Sequence, residues 1–246
     1  MEHTYLEIRP SPRLAPYVEC YWTRQSATED DLDHRVLPDG CADILFTRQR
    51  DEPVGLWVIG TMSRYHAVPI AAGQSFLGMR FRPAMAAGFL SEPLTDQLLP
   101  LESLWGASAR RLYDQLAHSR SIELSIQILE SYIHTTPAIS ATQKAIHHMV
   151  QRKGVVSIDE LANGAGLSAR QFRRQCLALT GLTPKRLCRV IRFRHAVSQI
   201  HGQPDWADLA QECGYYDQAH MINEFRELGG STPRDRFFQY SRQVGM

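Results

Sequence analysis

The sequence predicts an α+β protein: a β-rich N-terminal half, folded as a small barrel or sandwich with flanking helices, and an all-α C-terminal half. Short segments of β-branched and aromatic residues alternate with glycine and proline turns up to about residue 82. From Pro83 onward the apolar residues follow helical spacing. A helix–glycine turn–helix pattern then occurs twice within residues 137–246. We therefore expect two domains, residues 1–136 and residues 137–246.

The N-terminal half contains six segments that predict strands. They are residues 17–22, 34–37, 42–46, 54–59, 65–70 and 75–81. Helices are predicted for Pro83 to Leu90, Leu101 to Leu116 and Ile122 to Ile133. The last two helices are amphipathic. Their apolar faces could pack within the domain, bridge the two domains or form the interface of a homodimer.

A small barrel offers an interior that can hold a small molecule, with apolar walls and a few polar groups. The candidate binding residues are two tryptophans, as walls, and four arginines that suit a carboxylate or phosphate: Trp22, Arg35, Trp57, Arg64, Arg80 and Arg82. The alternative is that these arginines pair with Asp39, Asp43 or Glu19 at the rim. No metal and no other cofactor is expected, because His34 and His66 are isolated.

The first copy of the C-terminal pattern begins at Ser157. Ser157 and Glu160 have the spacing of a capping box, Gly166 is suited to a tight turn, and Ser168 with Gln171 forms a second capping box. The second helix buries Phe172 and leaves a polar face. That face is predicted to contact DNA through Ala169, Arg170, Gln171, Arg173 and Arg174. Arginine suits guanine edges and phosphates in a major groove.

The second copy lies 48 residues later before its turn and 49 residues later after it, so one residue is inserted in the turn. Asp205 and Asp217 are predicted caps, and Gly214 makes the turn. The second helix is predicted to contact DNA through Gln218, Ala219, His220, Asn223 and Arg226. Glutamine and asparagine fit adenine, Ala219 suits a thymine methyl, and Arg226 suits a phosphate.

A predicted helix from Pro184 to about Ile200 joins the two copies and carries an apolar and a basic stripe. Seventeen residues of helix span roughly 25 Å, and neighbouring major-groove segments on one face of DNA lie about 34 Å apart. We therefore expect both copies to bind one duplex a helical turn apart.

Residues 138–240 resemble the DNA-binding domain of the AraC/XylS family of bacterial transcription regulators. The resemblance rests on Ser157-Ile158-x-x-Leu161-Ala162, Gly166-Leu167-Ser168-x-Arg170, Gly181-x-Thr183-Pro184, Arg192-x-x-x-Ala196, Asp208-Leu209-Ala210-x-x-x-Gly214-Tyr215, Phe225 and Thr232-Pro233. It implies seven helices, double-stranded DNA and RNA polymerase as partners, and activation more than repression. Cys176, Met221 and Asn223 depart from the family pattern.

The N-terminal half resembles, less closely, a small domain found in a subset of the same regulators. The matching residues are Leu37-Pro38-Asp39-Gly40-Cys41-Ala42-Asp43 and Gly78-Met79-Arg80-Phe81-Arg82-Pro83. By analogy this domain senses a small molecule or mediates association, and the resemblance implies no particular ligand.

The charge distribution agrees with this division of roles. The chain carries a net charge of +1, but residues 137–246 carry +6 and residues 1–136 carry −5.

Five cysteines without a CxxC pair, and no apolar run or signal peptide, predict a cytoplasmic protein without membrane contact. No catalytic constellation is apparent, so an enzyme is not expected. Two alternatives stay open: an enzymatic N-terminal domain centred on Cys41, and a ligand-independent regulator controlled by protein partners.

Overall fold

The computed structural model describes residues 4–25, 32–90, 93–134 and 136–235. The strands are β1 (Thr4–Ile8), β2 (Val18–Gln25), β3 (Leu32–Val36), β4 (Ala42–Gln49), β5 (Glu52–Ile59), β6 (His66–Ile70), β7 (Gln74–Phe81) and β8 (Leu98–Pro100). The helices are α1 (Glu102–Trp105), α2 (Ala107–His118), α3 (Ile122–Ser131), α4 (Ala141–Gln151), α5 (Ile158–Gly164), α6 (Ala169–Thr180), α7 (Pro184–Gln199), α8 (Trp206–Glu212) and α9 (Gln218–Gly229).

The N-terminal half is built on an antiparallel sheet in the order β1-β2-β7-β4-β5-β8, beside a two-stranded ribbon of β3 and β6. The α+β class and all six predicted strands are confirmed. The six-stranded sheet stays open, because no pairing joins β1 to β8 within the described part of the chain. Strands β1 and β8 were not predicted, since each is a short edge strand whose pairing depends on distant partners.

One face of the sheet and helices α1 to α3 enclose a hydrophobic core. Its fully buried side chains include Tyr21, Ile44 and Met79 from the sheet and Leu112 and Leu116 from α2. The opposite face carries charged and aromatic side chains.

Two helix predictions in this half are corrected. Pro83 to Leu90 holds only a short 3-10 turn, Ala86–Gly88, because Ala84 takes a positive φ of 67° that no α-helix contains. The predicted Leu101 to Leu116 helix is divided into α1 and α2 at Gly106, whose φ is 52°.

Six of the seven helices implied for the C-terminal half lie within the described residues. They surround a second hydrophobic core, in which Phe172, Phe193 and Phe225 come from α6, α7 and α9 and are fully buried. The rings of Phe193 and Phe225 meet edge to face at 4.8 Å. Helix α7 therefore lies at the centre of this half, as its predicted linking position requires.

Candidate nucleic-acid interface

The first helix-turn-helix unit, α5 and α6, has the predicted caps and turn. The side chains of Ser157 and Glu160 form a reciprocal capping box, as do those of Ser168 and Gln171. Gly166 has a φ of 68°, and the position of a Cβ there is open space. Both helix starts and the turn between them are therefore set by local residues.

The second unit, α8 and α9, is built in the same way with aspartate caps. Asp205 accepts hydrogen bonds from the backbone N–H groups of Ala207 and Asp208, and Asp217 accepts one from His220 at 2.7 Å. Gly214 has a φ of 75°, and a Cβ there would lie 2.5 Å from a methyl of Val155. This turn requires glycine for its conformation and for its packing.

Helix α6 presents a basic face. Arg170, Arg173 and Arg174 are exposed, and none of the three makes a hydrogen bond or ion pair within the described residues. Gln171 is also exposed, but its amide oxygen accepts from the backbone N–H and hydroxyl of Ser168 at 3.0 and 2.8 Å. Only its amide nitrogen is therefore left for an external partner.

The arginines of the basic stripe on α7 are used inside the protein. Arg189 and Arg192 hold the buried carboxylate of Glu224 on α9 at 2.8 and 3.0 Å. Arg186 and Arg189 both pair with Glu227, whose pKa falls to about 2 mainly because of the hydrogen bond from Arg189. This cluster fixes α9 to α7. The arginines of α6 therefore differ from those of α7, because only the α6 arginines are available to a polyanion.

Helix α9 presents a less charged face. Ala219, His220, Asn223 and Arg226 are exposed, whereas Gln218 is half-buried. His220 is partly engaged, because its Nδ1 accepts the backbone N–H of Tyr216 at 3.3 Å. The face therefore carries amide, imidazole and methyl groups, with one arginine near its end.

Sequence reasoning missed Tyr216, which stands immediately before the cap of α9. Its side chain is 93% exposed, the most exposed large hydrophobic side chain in the described residues. The one-residue insertion in the second turn, relative to the first, was the available indication that this position projects from the turn. A tyrosine ring at the start of a recognition helix offers an apolar face and a hydroxyl to a groove.

The N-terminal half contacts the end of α9. Arg35 on β3 donates to the carbonyl oxygen of Gly229 at 3.1 Å and to the hydroxyl of Ser231 at 2.8 Å. The backbone N–H of Tyr65, next to β6, donates to the carbonyl oxygen of Leu228 at 2.7 Å. The β3–β6 ribbon therefore supplies donors to the carbonyl groups that a helix leaves unpaired at its C-terminus.

A second contact joins β2 to α7. Arg194 pairs with Glu19 at 2.6 Å. Burial alone raises the pKa of Glu19, but the charge and hydrogen bond of Arg194 outweigh it and hold that pKa below its usual range. The Arg194 guanidinium also approaches the sulfur of Cys41 at 3.9 Å. The N-terminal half therefore contacts both α9, which belongs to the second helix-turn-helix unit, and α7, which holds α9 in place.

The six predicted effector-binding residues do not converge on one place. Arg80 pairs with Asp39 and Asp43, both at 3.4 Å, which is the alternative role expected for it. Arg82 donates to the carbonyl oxygen of Ala15, and Arg64 is exposed.

Arg35 belongs to the contact with α9 described above. Trp22 and Trp57 lie with Arg80 on the sheet face opposite the core. Sequence reasoning missed Arg24, which lies on that face and is only 6% exposed. A charged residue near a strand end gives no indication that it is buried.

Metal-binding and membrane-spanning features are absent from the part of the chain that the structure describes. No group of three or more metal-ligating side chains occurs among those residues. None of their helices is both long and apolar enough to cross a membrane.

Two capped helix pairs with glycine turns, joined by a central helix, define a tandem helix-turn-helix protein. Residues 161–237 match a family described as a helix-turn-helix domain, and residues 6–99 match a family described as a domain of unknown function.

Among curated proteins, the HTH-type transcriptional activator RhaS of Escherichia coli O1:K1 is 35% identical over 83 residues, and RhaS of Escherichia coli strain K12 matches equally. The match covers 32% of this chain and 29% of RhaS, so less than a third of the relative's length is spanned. Residues 161–237 belong to a helix-turn-helix domain family, and the resemblance of the C-terminal half to AraC-type regulators that the sequence predicted is confirmed.

Among solved structures, ToxT from Vibrio cholerae O395 aligns over 100% of this chain and 98% of its own, with a TM-score of 0.46 and 10% identity. Wild-type ToxT from Vibrio cholerae strain SCE256, bound to an unsaturated fatty acid, aligns over 97% of this chain and 97% of its own, with a TM-score of 0.43 and 9% identity.

Proposed function

We propose that this protein is a sequence-specific transcription regulator, more an activator than a repressor, that binds two adjacent major-groove segments of double-stranded DNA. The observation that carries the proposal is the pair of capped, exposed helix faces on α6 and α9. Recognition helices of this kind contact base edges through their N-terminal residues. RNA polymerase is the partner expected for an activator of this family.

Each helix contributes the residues predicted from the sequence. On α6 they are Ala169, Arg170, Gln171, Arg173 and Arg174, and on α9 they are Gln218, Ala219, His220, Asn223 and Arg226, to which we add Tyr216. The three unpaired arginines of α6 supply most of the charge. The second helix contributes selectivity through amide, imidazole and methyl groups.

The spacing of the two faces follows from α7. Its 16 residues span roughly 24 Å, and the salt bridges to Glu224 hold α9 against it. Because the separation between α6 and α9 is fixed, we expect them to bind two neighbouring major-groove segments on the same face of one DNA duplex. A single chain would then cover an asymmetric site.

The N-terminal half, which we divide from the C-terminal half between residues 136 and 137, has a sensory or associative role. Arg35 and Tyr65 tie the β3–β6 ribbon to the end of α9, so a ligand that displaces the ribbon would bias the second recognition helix. A homodimer through α2 and α3 is a further proposal. The cytoplasm is the location that a DNA-binding regulator requires.

An enzymatic N-terminal domain centred on Cys41 is disfavoured by the state of that thiol. Burial raises the pKa of Cys41 well above its usual range, and a nucleophilic cysteine needs the thiolate. A regulator controlled only by protein partners is the remaining alternative.

The proposal is tested by selecting genomic fragments with the purified chain and titrating the best fragment at two salt concentrations. We expect two short conserved blocks about one helical turn apart and a steep salt dependence. The triple variant Arg170→Ala, Arg173→Ala, Arg174→Ala should bind far more weakly and with a shallower salt slope. Arg120→Ala, an exposed arginine on the N-terminal half, is the matched control. Sequence-blind binding by the wild type would overturn the proposal.

A further inference from the structure

Helices α6 and α9 end in the same way, on a glycine in the left-handed conformation. Gly181 has a φ of 70° and Gly230 a φ of 78°, and the backbone N–H of each donates to a carbonyl oxygen in the last turn of its helix. Glycine favours this position because a side chain strains a positive φ. The base-contacting residues proposed above lie in the first half of each 12-residue helix. A contact at the two glycines therefore leaves those residues free for DNA.

Both glycines are covered by the N-terminal half. A Cβ on Gly181 would overlap the side-chain hydroxyl of Thr95, and a Cβ on Gly230 would lie 2.5 Å from the ring of Tyr65. The backbone N–H of Tyr65 also donates to the carbonyl oxygen of Leu228, in the last turn of α9, at 2.7 Å. The close approach thus requires glycine at the end of each recognition helix, in addition to the requirement set by φ.

The residues that cover the two helix ends belong to two loops, residues 60–65 between β5 and β6 and residues 94–97 before β8. The backbone N–H of Asp96 donates to the carbonyl oxygen of Thr61 at 3.1 Å. The carboxylate of Asp96 accepts the backbone N–H and the hydroxyl of Ser63 at 2.7 and 2.6 Å. The two loops, called the loop pair here, therefore form one unit that spans the ends of both recognition helices.

The loop pair also contacts α7. Arg186, in the first turn of α7, donates to the carbonyl oxygen of Ser63 at 2.5 Å and pairs with Glu227 of α9. Among the described residues, the hydrogen-bond partners of the Asp96 carboxylate are Ser63 and His66, which both belong to the N-terminal half. Asp96 thus acts on the C-terminal half through the loop pair that it holds together.

We propose that the loop pair fixes the spacing of the two recognition helices and thereby makes the protein selective for the distance between two operator blocks. Asp96 is the positioning residue, because its carboxylate joins the two loops. This inference rests on the DNA-binding function proposed above and adds a determinant of operator choice to it.

The spacing of α6 and α9 is then set by two ties. One is α7 with the core that the C-terminal helices share, and the other runs from the end of α6 through the loop pair to the end of α9. One additional base pair between the operator blocks moves them apart by about 3.4 Å and rotates one against the other by about a tenth of a turn. Two helices held by both ties resist this change more strongly, because their relative movement must also break the contacts at their ends.

Asp96 permits a substitution that opens the loop pair without straining the backbone. Its φ is 53°, which glycine adopts readily, so Asp96→Gly removes the carboxylate at no steric cost. The matched control is Asp51→Gly. Asp51 is an exposed aspartate with a φ of 70° in the turn between β4 and β5, outside the loop pair.

The test measures, by fluorescence anisotropy, binding of the full chain to its selected two-block operator and to operators with one base pair inserted or removed between the blocks. For the wild type we expect at least about tenfold weaker binding at either altered spacing. This spacing penalty should be at least about threefold smaller in Asp96→Gly and within about twofold of the wild type in Asp51→Gly. Thermal unfolding of each variant is measured alongside.

A spacing penalty in Asp96→Gly less than about threefold below that of the wild type, or an equal fall in Asp51→Gly, would overturn the inference. Binding weakened by the same factor at all three spacings, together with earlier unfolding, would also overturn it, because a general loss of stability produces that pattern. A wild type that requires both operator blocks but tolerates every spacing would remove this inference alone. Sequence-blind binding by the wild type would remove the proposed function beneath it as well.

Discussion

Replacing Glu224 by alanine should loosen the second recognition helix from its support. The Glu224 side chain is 1% exposed, and Arg189 and Arg192 are 26% and 15% exposed. Breaking a buried ion pair by removing one partner costs about 3–5 kcal/mol. Arg189 keeps Glu227, and both guanidinium groups reach some water. We therefore expect the lower end of that range, about 3 kcal/mol.

The assay is urea unfolding of the full chain followed by far-UV circular dichroism, because the C-terminal half is helical. The control is Glu227→Gln, whose carboxylate is 50% exposed, so its loss should cost at most about 1 kcal/mol. Operator affinity should fall with Glu224→Ala as the position of α9 is lost. An unfolding free energy within about 0.5 kcal/mol of the wild type would refute the role given to this cluster.

Further predictions concern the recognition helix, the turns and pH. Arg170→Ala or Arg174→Ala should each weaken operator binding by about 1–3 kcal/mol, measured by anisotropy on operators mutated one base pair at a time. Relaxed preference at one position indicates base contact, whereas a uniform loss indicates phosphate. Gly166→Ala should cost about 1–2 kcal/mol of backbone strain, and Gly214→Ala more, because its Cβ would also meet a valine methyl at 2.5 Å. Equal losses in urea unfolding would contradict this. Because the pKa of Glu227 falls from 4.5 to about 2 on folding, its stabilisation is complete above pH 4.5 and is lost as pH falls through about 2. The stability difference between wild type and Glu227→Gln should vanish by the acid end of a pH series.

The parts of the fold that sequence predicted are those set by neighbouring residues. Ser157, Ser168 and Asp217 cap their helices through bonds to backbone groups three residues away, so the local pattern sufficed. The helix predicted after Pro83 failed for the opposite reason. Ala84 takes a positive φ and packs into the core of the C-terminal half, a tertiary constraint that local propensity does not contain.

The roles of the arginines were the least predictable part of the site. The stripes on α6 and α7 look alike in sequence, but the α7 arginines meet Glu224 and Glu227, more than 30 residues away. Only the three-dimensional pairing separates structural arginines from available ones. Arg24 and Tyr216 were missed for a related reason, because burial at a strand end and exposure at a turn both depend on packing.

The most direct test of the tandem binding mode is an operator footprint compared among the wild type and one variant of each recognition helix. Arg170→Ala with Arg174→Ala should lose protection of one block, and Tyr216→Ala with Asn223→Ala should lose protection of the other, about one helical turn away. A footprint of one block, or one from which both variants lose the same bases, would contradict DNA recognition by two helices of a single chain.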